Sequence, residues 1–251
     1  MSEVATWALH FGNEQRRVVV AGHSHVICIL QALGEAPRAD VTVAYTRDLH
    51  DGPPLDDAYW EFVHSATSTQ LIAVMWNGNQ HHASFLIQPD PPIRIWDEAA
   101  GAEVGKGLLV PQSMLHALWE PSFTQLRMAL ELLAPDRRVV VLGTPPPKRG
   151  SVAQANLEQE VWFSQVASER GLRVADLVLT DDRVLLAMWS LLQERLCELA
   201  QEHGVPFIPC PPEVRDEDGF LLPDYSAHDV THANAAYGHL ICDLLEAMAT
   251  Q

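Results

Sequence analysis

Three short motifs in this 251-residue chain hold the residue types that acyl transfer needs: Gly22-His23-Ser24, Asn77-Gly78-Asn79 and Asp229-Val230-Thr231-His232. A hydroxyl, an amide, an imidazole and a carboxylate suffice to split an acyl compound through a covalent intermediate. In that reading Ser24 attacks and His232 takes its proton. Asp229, three residues earlier, accepts a hydrogen bond from the other ring nitrogen and holds the tautomer. The Asn79 amide and the Ser24 N–H donate to the oxyanion. Plainer readings stand beside this one. Serine is favoured at helix N-caps, and Asp-x-x-His also describes a helix-start cap followed by a surface histidine.

The surrounding elements must bring these motifs together. Arg17 to Gly22 reads as a buried parallel strand reaching a sharp turn, and Val26 to Leu33 as an apolar helix stopped at Gly34. Ser24 then stands between a strand's carboxyl end and a helix's amino end, where N–H groups gather. Further strands are expected at 41–46, 71–76, 138–143 and 205–209. Helices are expected at about 111–133 (kinked or divided by Pro121), 153–170, 181–203 and 233–249. Residues 1–16 read as a leader packed on the body, and 83–110 as an irregular insertion, a small hairpin or lid that shapes specificity. Strands alternating with helices imply one α/β domain over 1–251, a sheet covered on both faces. Parallel strands end on one edge, so the first two motifs are neighbours in space. His23 and His25 flank Ser24, and Trp76 precedes the second motif; all three are candidates for contact with substrate. Lys148 and Arg149, after the fourth strand, read as a solvated loop.

Sixteen basic against 33 acidic residues give a formal charge of −17, which opposes binding to nucleic acid or an anionic membrane. No window reaches the roughly 18 uninterrupted apolar residues of a membrane span. The start, Met1-Ser2-Glu3-Val4-Ala5, lacks a basic region followed by an apolar run, so the expected location is cytoplasmic. Cys28, Cys197, Cys210 and Cys242 show no C-x-x-C spacing and read as reduced thiols.

The order and context of the motifs resemble the SGNH (GDSL-type) hydrolase superfamily, over about residues 18–245. That family has Gly-Asp-Ser after its first strand, Gly-x-Asn-Asp after its third and Asp-x-x-His before its last helix. Here His23 replaces the aspartate of the first block and Asn77 the glycine of the third, while Asp229 to His232 matches in full. The turn Gly143-Thr144-Pro145-Pro146-Pro147 and the stretch Ala233 to His239 are also similar to the family's, with Ala233 where proline is common. The family's second block offers a glycine N–H to the oxyanion hole; Gly52 is the only glycine between residues 35 and 70. The resemblance implies a three-layer α/β/α sandwich with a mainly parallel five-stranded sheet in flavodoxin-like order. It implies a serine esterase needing no metal or organic cofactor, acting on a small-molecule or carbohydrate ester. Small acyl groups, such as acetyl on a sugar, are commonly handled by this superfamily.

Other functions stay open on the same residues. An acyltransferase shares the covalent intermediate, and a non-catalytic binding protein can share the fold. Gly22-His23-Ser24-His25 is also similar to a metallophosphoesterase histidine motif, although in that family the element comes last rather than first. The oligomeric state is not written in the sequence.

Overall fold

The runs of β-branched residues become parallel strands buried on both faces. A computed structural model describes residues 7–10, 17–46, 55, 57–65, 71–76, 85–135 and 137–250. Its strands are β1 (Trp7–His10), β2 (Val18–Gly22), β3 (Val41–Thr46), β4 (Leu71–Met75), β5 (Ile93–Asp97), β6 (Ala102–Gly105), β7 (Leu108–Leu109), β8 (Val139–Leu142) and β9 (Phe207–Ile208). Its helices are α1 (Ile27–Glu35), α2 (Asp57–Ser65), α3 (Gln112–Leu133), α4 (Gly150–Asn156), α5 (Val161–Glu169), α6 (Asp182–Glu202) and α7 (Ala235–Ala249).

The main sheet runs β1-β3-β2-β4-β8-β9. From β3 to β9 every pairing is parallel, with Val18 beside Val41 and Leu71. Counted among themselves, these five strands lie second, first, third, fourth, fifth, the flavodoxin-like order expected. Successive side chains alternate faces, so each strand needs apolar residues throughout. Val18, Val20, Val41, Leu71 and Ala73 pack with Cys28, Ile29 and Leu33 of α1 and Tyr237, Ile241 and Leu245 of α7. Val19, Ile72, Val74 and Val141 pack on the other face with residues of α2, α3 and α6. A three-layer α/β/α sandwich results.

Several local expectations are corrected. Part of the leader is a strand: β1 pairs antiparallel with β3, Trp7 opposite Thr46. Gly34 does not stop α1, which continues to Glu35 because Ala32 and Leu33 remain buried, and Ala36 N closes onto Ala32 O at 2.9 Å. Pro121 lies inside an undivided α3 whose Trp119, Phe123 and Leu126 are anchored in the core. The helix expected over 153–170 is broken, with a 3-10 turn at Leu157–Gln159 and an extended Glu160 (φ −110°, ψ 121°). Within the insertion, β5 pairs with β6 antiparallel and with β7 parallel. Ile95 and Val104 of this small sheet share a core with Val184 and Met188 of α6, so its inner face is part of the body.

Candidate active site

The turn that presents Ser24 is fixed by backbone contacts before any side chain acts. Gly22 has φ +144°, and a Cβ there would sit 1.9 Å from Met75 O of the neighbouring strand, so only glycine ends β2 this way. Its N–H donates to the Tyr59 hydroxyl at 3.0 Å, which itself donates to Ala44 O at 2.8 Å. His23 N then donates to Met75 O at 3.2 Å. Ser24–Val26 forms a 3-10 turn leading into α1. Neither that turn nor α1 has a side-chain cap, so the plain capping reading of Ser24 does not describe it.

The Ser24 hydroxyl instead lies 2.9 Å from His232 Nε2, across 208 residues of sequence. His232 Nδ1 lies 2.8 Å from Asp229 Oδ2. An ionised carboxylate only accepts, so Nδ1 carries the proton and Nε2 is left to accept from the serine O–H. The other carboxylate oxygen, Asp229 Oδ1, accepts from Thr231 N at 2.9 Å and His232 N at 2.7 Å. Burial works against the Asp229 charge, but the His232 hydrogen bond and the nearby charges of His232 and Lys148 outweigh it, holding the carboxyl well below the usual range. Asp229 does not cap the last helix. Asn234 does, accepting from Ala236 N at 3.0 Å and Tyr237 N at 3.3 Å.

Lys148 corrects the expectation of a solvated loop. It is fully buried, and its ammonium donates to Ala227 O at 2.7 Å, Asp229 O at 2.8 Å and Asp229 Oδ1 at 3.1 Å. Asn156 Nδ2 also donates to Asp229 O at 3.2 Å, and Glu160 Oε1 accepts from Val230 N at 2.7 Å. The approach of Lys148 begins at Thr144, whose backbone and hydroxyl are held by Gln193 and Trp189 of α6. Sequence reasoning missed Lys148, Asn156 and Glu160; the one available signal was that Lys148 follows a strand exit on the same sheet edge through three prolines.

The remaining candidates divide. His23 turns its ring edge onto Trp76 (centroids 4.1 Å apart), and its Nε2 is buried with no hydrogen-bond partner among the described residues. Trp76 is fully buried, donates to Ser122 O at 3.2 Å and packs against His23 on the site side. His25 is buried beside His232, ring centroids 5.4 Å apart, and lies behind the site. Arg149 faces away, pairing with Asp216 and Asp218 at 2.7 and 2.6 Å. Asn79 and Gly52 lie outside the described residues. The Ser24 N–H, at the start of the 3-10 turn, has no acceptor among the described residues. Among those residues no group of three or more His, Cys, Asp or Glu is placed to hold a metal ion, and no helix is long and apolar enough to cross a membrane.

A five-stranded parallel sheet in this order, covered by helices on both faces, is a flavodoxin-like three-layer α/β/α fold. No protein-family model and no curated protein matches the chain by sequence. Solved structures do match. A Streptococcus pneumonia protein, provisionally described as a platelet activating factor, aligns with a TM-score of 0.52 and 13% identity over 96% of this chain and 86% of its own. A GDSL-like lipase from Bacteroides thetaiotaomicron aligns at 0.48 and 15% identity, covering 94% and 88% of the two chains. An acetylxylan esterase from Geobacillus stearothermophilus aligns at 0.47 and 12% identity, covering 95% of each.

Proposed function

We propose that this protein is a serine esterase of the SGNH superfamily, hydrolysing the carboxylic ester of a small acyl group, such as acetyl, on a carbohydrate or other small alcohol. The observation that carries the reading is the unbroken hydrogen-bond chain Ser24–His232–Asp229, at 2.9 and 2.8 Å. Ser24 Oγ attacks the ester carbonyl as His232 Nε2 takes its proton, giving a tetrahedral oxyanion. The Ser24 N–H and the Asn79 amide, with Gly52 as the third donor, receive that charge. Collapse breaks the bond to the alcohol, which leaves with the proton from His232. Water then attacks the acyl-enzyme, His232 takes its proton, and the acid is released as Ser24 regains its hydrogen. Asp229 stays ionised throughout and steadies the imidazolium.

A fluorophosphonate probe followed by intact-mass and peptide analysis should show one adduct, on Ser24. Ser24→Ala should abolish labelling and lower p-nitrophenyl acetate turnover by about a thousandfold or more with the fold intact. Unchanged turnover in that variant would remove Ser24 from the mechanism.

A further inference from the structure

A lysine with no exposed side-chain surface needs a reason to be there, because a buried charge is costly unless it is paired and fully hydrogen-bonded. Lys148 meets both conditions on one short loop. An ammonium has three donors, and all three are used: on Ala227 O, Asp229 O and Asp229 Oδ1. Two of these contacts fix the backbone on either side of Asp229's approach, and the third touches the carboxylate that faces His232. We propose that Lys148 is a positioning residue for His232, holding Asp229 in place and cancelling part of its negative charge. This inference rests on the esterase reading above.

The direction of its effect follows from charge. A protonated His232 cannot take the serine proton, so the net charge of the carboxylate facing the ring matters. Lys148, at 3.1 Å from the same carboxylate, offsets part of the negative charge that the imidazole faces. Burial pulls the Lys148 ammonium down while Asp229 and Glu160 pull it back, so the two carboxylates are what keep its charge in place. Among the described residues, the groups that face this cluster are few. Glu160 lies against Val230 from the segment before α5, His25 lies beside His232 from the turn after Ser24, and Asp182 of α6 accepts from Gly150 N at 2.9 Å. Arg149 is committed to Asp216 and Asp218. Among the described residues, Lys148 is the one cation in contact with the Asp229 carboxylate, beside the neutral His232 ring.

Two replacements test this. Lys148→Met removes charge and donors at similar length, and Lys148→Gln removes the charge but keeps an amide donor. Both should move the acid limb of the kcat/KM profile to higher pH, by about half to one unit, with kcat/KM at pH 6 falling about three- to tenfold. The same upward movement should appear in the NMR titration of the His232 ring, which does not depend on turnover. A purely structural lysine would lower the melting temperature and leave both titrations where they were; that result, or failure of both variants to fold, overturns the proposal. If the wild type neither labels with fluorophosphonate nor hydrolyses ester while the NMR shift is present, the esterase reading fails and the charge coupling stands.

Discussion

The His23 imidazole, held away from water, makes the stability of this protein sensitive to acid. Burial pushes His23 from 6.5 down to about 4. Above pH 6.5 both folded and unfolded chains hold it neutral, so stability is at its full value. Between 6.5 and about 4 the unfolded chain takes up a proton that the folded one refuses, and stability falls by up to about 3 kcal/mol. His23→Phe should flatten urea-unfolding stability across that window; an unaltered slope would show that the ring is not held neutral. Gly22→Ala should leave little folded protein, since the new methyl group meets Met75 O in a backbone conformation that L residues avoid. At this scale the residues proposed for the chemistry stood out in the sequence. Ser24, Asp229 and His232 each sit in a local pattern that says what the residue type can do, and their mutual distances agree with that pattern. Lys148 was not legible, because a lysine after three prolines looks the same whether it points into water or under a loop. For Trp76 the place at a strand end was evident, but not its full burial.

Helices α1 and α7 follow the two parts of the candidate site, and at Gly238 their backbones approach closely. A Cβ on Gly238 would lie 2.1 Å from Cys28 O and 2.9 Å from the Ala32 Cβ. Gly238→Ala should therefore force the helices apart, costing about 2–3 kcal/mol in thermal or urea unfolding. It should also weaken the proposed esterase activity in molecules that remain folded, because Ser24 precedes α1 and His232 precedes α7; full activity would mean that the loops, not the helices, set the distance. The expected elements mostly matched where hydrophobic period and burial agree, as in α6 and β4. They failed where a long-range contact overrode local preference. Gly34 stayed helical because its neighbours are buried. Glu160 broke a helix that its own period would have continued, its side chain being engaged by the Asp229 loop. The pairing of β1 could not be foreseen from a segment without a clear period.

Seen whole, the molecule is a both-faces-covered sheet with a strongly acidic exterior. A formal charge of −17 repels itself at low ionic strength. Raising sodium chloride from about 10 to 200 mM shortens the screening length severalfold, and the melting temperature should rise by about 2–4 °C. A fall would mean that surface pairs such as Arg38 with Asp243 and Glu246 outweigh the repulsion. The fold order was legible from strand spacing and the family resemblance together; the small sheet packed on α6 was not, since its prolines and glycines hide any period. The ends of the main sheet carry one more consequence. On one side β1 lies against β3, and on the other β9 is two residues long between Pro206 and Pro209, neither of which has an N–H to give. A stray strand arriving at that rim finds almost no ladder to climb, so chains crowded together have little there on which to start a fibre.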